Sequence, residues 1–240
     1  MDLVDLFDSI TIINAAHRKD RRQQMRGALR LVGWDPDGPK VTWFPAVDPK
    51  TAVGFTTPGT RGCFLSHLAV LNIARSAGHQ RVLVLEDDCE FAPDFSDRQA
   101  EVAGWLESSP WGIAYLGHSE SITTGPPRLV PWSPDLPIML THCYAISGNV
   151  LSRLPGYLEA ITLRPPGSPE GGPMALDGGF SWFRRQNPDV QTVLSAPSLA
   201  YQRSSRSDLS PRWFDRVPVL RDAAENVRGL RGRHRIKPSS

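Results

Sequence analysis

The short motifs that usually announce an enzyme class are missing from this 240-residue chain. It has no G-x-x-x-x-G-K-[ST] phosphate loop and no G-x-G-x-x-G dinucleotide loop, so kinase-like and dehydrogenase readings lose support. G-x-S-x-G, H-E-x-x-H and C-x-x-C are absent as well, which weakens hydrolase-triad and zinc readings. Cysteine is scarce: Cys63, Cys89 and Cys143 have no zinc-type spacing. Each lies in an apolar or element-like context and reads as a buried free thiol, which suits a reducing compartment. No apolar run reaches the roughly 20 residues of a membrane span. The opening MDLVDLFDSI is acidic where a secretory leader is basic, so the expected location is cytoplasmic. Excess charge is missing from the body too. The net charge is +2, but residues 221–240 alone carry net +4, leaving −2 for the rest. That balance excludes a basic nucleic-acid binder, and no internal repeat is visible.

What is present begins with Arg81-Val82-Leu83-Val84-Leu85-Glu86-Asp87-Asp88. Four apolar residues running into three carboxylates suit a strand buried on both faces and ending at an acidic edge. Adjacent carboxylates repel and lose hydration unless a cation or hydrogen-bond donors compensate them. Hard cations such as Mg2+ or Mn2+ take oxygen ligands and often bind through one or two carboxylates plus substrate phosphates. The triplet therefore reads either as a metal–diphosphate site or as a solvated acidic turn.

The surrounding pattern is α/β. Strands are expected at Ser9–Asn14, Val41–Val47 (an edge, from Pro45), Arg81 onward, Trp111–Leu116, Thr141–Ser147 and Val190–Ser195. Helices are expected at Asp20–Leu31, Arg61–Ala77, Asp97–Leu106, Gly148–Leu158 and Gly179–Arg185. Alternation of the two implies right-handed crossovers and a mainly parallel sheet. Residues 119–137 and 163–178 read as long functional loops.

Three more local groups could converge with the acids at one sheet edge. Asn14 to Arg22, with Arg18 and Arg21, follows the first strand and could hold a nucleotide, or could be a solvated helix start. Ser66 and His67 lie in the helix opened by Gly62, where a packed histidine is the plainer reading. Asp177 precedes Gly178-Gly179 and could serve as a helix N-cap, a catalytic acid or both.

These segments together resemble glycosyltransferase family 25, the lipooligosaccharide-biosynthesis and collagen galactosyltransferase relatives. The resemblance rests on I-N-A-A-H-R-K-D-R at Ile13 to Arg21, G-C-F-L-S-H-L-A-V-L at Gly62 to Leu71, and V-L-V-L-E-D-D-C-E-F at Val82 to Phe91. T-H-C-Y-A-I-S at Thr141 to Ser147, A-L-D-G-G-F at Ala175 to Phe180, and P-S-L-A-Y-Q-R-S-S-R-S-D-L at Pro197 to Leu209 extend it. The chain departs from the pattern at Ala15, Ala16 and Gly178.

The resemblance implies a GT-A-like domain over residues 1–220, with a nucleotide-binding part at about 9–118 and an acceptor-side part at about 119–220; the charge pattern adds a flexible basic tail at 221–240. It implies inverting transfer of a hexose, galactose or glucose, from a UDP-sugar to a glycan, lipid-linked or protein acceptor. Glu86 and Asp88 would hold Mn2+ or Mg2+, with Asp88 the direct ligand. Asn14, Arg18, Arg21, Ser66, His67, Glu86, Asp87, Gln202, Arg203 and Arg206 are the candidate donor contacts. Inversion needs a carboxylate to take the acceptor proton, for which Asp177 is the candidate and Asp208 the alternative. The tail could also dock on the inner face of an anionic membrane. Two other classes remain open: a metal-dependent nucleotidyl- or phosphotransferase, and a binding protein that kept the fold and lost turnover.

Overall fold

Two-residue alternation along the central strands sorts their side chains onto two faces, and the helices follow. The computed structural model describes residues 2–122 and 126–203. In chain order the elements are α1 (Leu3–Leu6), β1 (Ser9–Asn14), α2 (Lys19–Leu31), β2 (Val41–Pro45), α3 (Pro58–Ser76), β3 (Arg81–Glu86), β4 (Cys89–Phe91) and α4 (Phe95–Ser108). There follow β5 (Ile113–Gly117), β6 (Arg128–Pro131), β7 (Cys143–Ser147), α5 (Gly148–Leu163), α6 (Leu176–Gln186), β8 (Thr192–Ala196) and β9 (Ala200–Gln202).

The sheet runs β2-β1-β3-β7-β5-β8-β6, with β9 beside β5 and β4 beside β9. Along the main path β2, β1, β3, β5 and β8 point one way, and β7 and β6 run against them. The sheet is thus mixed and mostly parallel in strand direction. β2 lies at its edge, as Pro45 suggests it should.

Val82 and Val84 of β3, Ile113 and Tyr115 of β5, and Tyr144 and Ile146 of β7 pack with α3, α5 and α6 on one face. Leu83 and Leu85, Ala114 and Leu116, and Cys143 and Ala145 pack with α1, α2 and α4 on the other. The result is three layers, with the sheet buried on both sides.

Several boundaries moved for local physical reasons. α3 starts at Pro58 rather than Arg61. Thr57 caps it by accepting the Thr60 amide at 3.0 Å, and proline is favoured in the first helical turn. Gly78, at φ +74°, ends it. α5 continues past Leu158 to Leu163, even with Pro155 inside it. The expected 119–137 loop contains β6, which pairs with β8. β4 and β9 are three residues each and carry little periodicity. Asp177 does not cap α6: the cap residue is Ala175, and Asp177 lies inside the first turn. The basic tail, and Arg206 and Asp208, fall outside the described residues. Among the described residues, no helix is long and apolar enough to cross a membrane.

Two contacts fix the elements that carry the candidate site. The first is the crossing of α3 by the segment after β2. Ser66, fully buried, donates to the Gly62 carbonyl at 2.6 Å and accepts the Val47 amide at 2.8 Å. A Cβ on Gly62 would lie 2.5 Å from the Val47 carbonyl oxygen. Glycine and serine of the G-C-x-x-S-H segment thus let the chain pass close over the helix and hold it there. The Ser66 hydroxyl is committed to backbone.

The second is Arg184 of α6, also fully buried. It donates to Thr192 Oγ1 and the Leu136 carbonyl, each at 3.0 Å, and to the Ser133 carbonyl at 2.5 Å. Burial pushes its pKa down, and these acceptors keep the buried cation satisfied.

Gly62→Ala is expected to cost roughly 1–3 kcal/mol by overpacking against backbone, read from the urea midpoint. Arg184→Met is expected to cost about 1–3 kcal/mol by leaving buried acceptors unpaired. A lowered midpoint with an unchanged urea dependence would identify a stability loss in either variant.

Candidate functional site

Because β1, β2 and β3 are parallel, their carboxyl ends lie together: Asn14 pairs with Pro45, and Ile13 with Glu86. β7 runs the other way, so Thr141 and His142 at its start reach the same edge, and the Glu86 amide donates to the His142 carbonyl at 2.9 Å. β5 ends there at Gly117, with His118 following. Ligands of open α/β sheets gather at such an edge.

The alternation of β3 separates its acids. Glu86 continues the Val82–Val84 side and meets α3: His67 Nε2 is 3.3 Å from Glu86 Oε1, and Thr141 Oγ1 donates to that oxygen at 3.5 Å. Burial works to raise the Glu86 pKa, but His67 and then His142 and Thr141 hold it below the usual value. His67 Nδ1 lies 2.9 Å from the Tyr144 hydroxyl, which fixes the ring.

Asp87 continues the Leu83–Leu85 side and meets β1 and α2. Asn14 Nδ2 donates to Asp87 Oδ2 at 2.7 Å and to the Arg18 carbonyl at 3.2 Å. Arg21 donates to Asp87 Oδ1 at 3.1 Å and to Asp88 Oδ2 at 3.4 Å. Both Asp87 oxygens are therefore used within the protein. Arg18 chelates Asp20, at 3.0 and 2.9 Å.

Asp88 differs from its neighbours. Its side chain is buried, and Oδ1 has no hydrogen-bond partner among the described residues. Burial, then the Glu86 charge, pushes its pKa up to about 7, against the pull of Arg21. A carboxylate so placed is poised for a cation, and the site's nearby oxygen donors suit a hard one.

The closing segment folds back onto the acids. β9 pairs antiparallel with β4, and the Arg203 amide donates to the Asp88 carbonyl at 2.7 Å. Gln202 is exposed beside this contact, and the Arg203 guanidinium reaches Gln24 of α2.

Asp177 arrives from α6. Its Oδ1 accepts the Gly178 amide at 2.8 Å. Burial raises its pKa; the Gly178 and Leu140 amides oppose that, and Glu86 adds to it. The Asp177 carboxylate thus lies within electrostatic reach of Glu86 and is tied to the segment leading into β7.

Among the sequence candidates, the structure brings together Asn14, Arg21, His67, Glu86, Asp87, Asp88, Arg203 and Asp177. Ser66 serves the backbone, and Arg18 pairs with Asp20. Thr141, His142 and Tyr144 carry roles that residue-level reading did not assign. The T-H-C-Y segment was visible, but its reach to Glu86 depends on β7 lying beside β3. His142 is fully buried, and neither ring nitrogen makes an aligned hydrogen bond among the described residues. Gly117 leaves room for it, since a Cβ there would sit 2.4 Å from His142 Nε2.

No family model matches the chain. Curated proteins do. The chain is 30% identical over 149 residues to a bovine (Bos taurus) "Probable inactive glycosyltransferase 25 family member 3", covering 52% of this chain and 25% of that protein. It is 28% identical to "Procollagen galactosyltransferase 1" of Danio rerio, over 61% of this chain and 27% of the relative. It is 26% identical to "Procollagen galactosyltransferase 2" of Homo sapiens, over 67% and 28%. The matched region thus spans about a quarter of each of these relatives. Among solved structures, a glycosyltransferase "involved in the glycosylation of the major capsid of PBCV-1" superposes with a TM-score of 0.49 at 10% identity, over 83% of this chain and 94% of that one. Across half to two thirds of its length, the chain is homologous to glycosyltransferase 25 family members and procollagen galactosyltransferases.

Proposed function

We propose that the chain is a GT-A-like, metal-dependent glycosyltransferase of the family 25 type, moving galactose or glucose from a UDP-sugar to a hydroxyl acceptor with inversion. Its acceptor would be a glycan, a lipid-linked sugar or a protein. The observation that carries this reading is Asp88: a buried carboxylate oxygen without a partner among the described residues, at the carboxyl edge of a parallel strand pair, in a chain whose relatives are glycosyltransferases.

Mn2+ or Mg2+ fits this donor set, with Asp88 as the direct ligand and Glu86 nearby. When bound, such a cation neutralises charge that develops on a departing diphosphate. The protein's own residues do the rest. Arg21 holds Asp87 and Asp88 in place and adds positive charge beside the diphosphate. Asn14 locks Asp87, so the acid edge is preorganised. Asp177 takes the proton from the acceptor hydroxyl as the oxygen attacks the anomeric carbon opposite the leaving group. Its raised pKa suits a base that must gain that proton. Residues 126–137 and 163–178 would shape the acceptor side and exclude water, which would hydrolyse the donor.

A second reading has specific support. Two relatives are named inactive or probably inactive, and Gly178 stands where the family pattern has histidine. A binding protein of the same fold would show metal-dependent thermal stabilisation by a UDP-sugar without UDP release. The transferase reading requires both.

Asp88→Asn is expected to abolish metal-dependent UDP-sugar turnover and the metal-dependent melting shift while leaving the far-UV spectrum unchanged. Wild-type transfer by this variant would remove Asp88 from the metal site. Asp177→Asn is expected to keep donor binding and lose transfer. In the unmodified enzyme kcat should fall with decreasing pH along a limb above the usual aspartate range, because the raised pKa means Asp177 protonates sooner as pH drops. A limb at the ordinary aspartate value would assign the base elsewhere.

A further inference from the structure

Cys63 plays no part in the reaction outlined above, yet it lies beside two of the site's groups. Cys63 and His67 are one helical turn apart on α3, so their side chains share a face. That face meets the end of β3 at Glu86. Cys63 Sγ, a His67 ring nitrogen and a Glu86 carboxylate oxygen all lie within 4.8 Å of one another. Tetrahedral zinc, with bonds of about 2.0–2.3 Å, needs ligand separations of roughly 3.3–3.8 Å. Side-chain movements of about 1 Å would close the difference.

Two further observations point to a ligand. His67 is 1% exposed, and its Nε2 faces Glu86 Oε1 at 3.3 Å without a well-aligned hydrogen bond among the described residues. The other ring nitrogen is held by the Tyr144 hydroxyl at 2.9 Å, the outer partner that a metal-ligating histidine commonly has. Cys63 as a residue and the Glu86 side chain both keep some exposure.

We propose that Cys63, His67 and Glu86 form a soft-cation site that takes Zn2+ with three protein ligands and an open fourth position. Thiolate and imidazole select Zn2+ over Mg2+ or Mn2+, which prefer the all-oxygen surroundings of Asp88. The charges balance: the thiolate and the Glu86 carboxylate cancel the dication. Zn2+ displaces the thiol proton, which passes to solvent. Burial, and then Glu86, Asp177 and Asp88, disfavour a bare thiolate at Cys63. The same carboxylates favour a cation there. Occupancy claims Glu86 and leaves Asp88 Oδ1 untouched.

The test uses the full chain, stripped with EDTA and titrated with Co2+ as a spectroscopic probe and then with Zn2+. The expected result is a thiolate-to-cobalt charge-transfer absorption that Zn2+ bleaches, whatever Co2+ the Asp88 edge also takes up. Cys63→Ser should lose that absorption and bind Zn2+ at least tenfold more weakly. Glu86→Gln should keep the absorption and bind more weakly. Zn2+ should also protect Cys63 of the unmodified chain from alkylation, mapped by mass spectrometry, which needs no variant to fold. Absence of the charge-transfer band in the unmodified chain, its persistence in folded Cys63→Ser, or unprotected alkylation of Cys63 would overturn the site. None of these readouts depends on glycosyl transfer.

Discussion

The side-chain alternation of β3 is the constraint on which the site depends. Val82 and Val84 are buried under α3 and α5, while Leu83 and Leu85 are buried against the opposite helices. A one-residue slip would exchange these sets and leave neither layer's core with its proper partner. Hydrophobic burial on both faces therefore fixes the register. The register in turn sends Glu86 to His67 and Asp87 to Asn14 and Arg21. Three consecutive carboxylates would repel strongly if they shared one environment. The split sends Glu86 to His67 while Asp87 and Asp88 share Arg21, and of the three it is Asp88 that keeps a buried oxygen unused among the described residues.

The α/β class was legible in the sequence because β1, α3 and β3 have strong periodicity. β1 and the start of β3 lie where the pattern puts them. So was the importance of the acid edge, since buried apolar residues running into carboxylates have few inexpensive solutions. What could not be read was partnership between distant segments. The insertion of β7 between β3 and β5 places Tyr144 against His67 and Thr141 against Glu86, and nothing local in T-H-C-Y-A-I-S encodes that neighbour. β4 and β9 are too short for a period to show; they pair with each other, and β9 also meets β5. Glycine and serine of G-C-x-x-S-H carry a packing role that the motif alone does not separate from a binding role.

Polar burial is distributed unevenly around the sheet. Arg184 is wholly enclosed but meets three acceptors, so it acts as a brace between α6, β8 and the segment before Pro137. His142 is as deeply enclosed, yet its ring nitrogens lack aligned partners among the described residues. Asp88 shares that condition. His142 and Asp88 lie at the carboxyl edge of the strands, while Arg98, Tyr115 and Tyr157 carry unpartnered buried atoms elsewhere among the described residues.

The pairing of β9 with β4 has a consequence for how the molecule can be made or divided. The Arg203 amide closes on the Asp88 carbonyl from the far end of the described chain. The acid edge is built early in the sequence, but its wall comes from nearly the last described residues. Contacts of such long range are slow to form, because loop closure precedes any reward. A ribosome-bound chain that has emerged only as far as His118 therefore has the carboxylates without their enclosure. The same holds for a chain cut between β5 and β7: neither fragment contains a whole site, and recombination of the two would have to restore one continuous sheet.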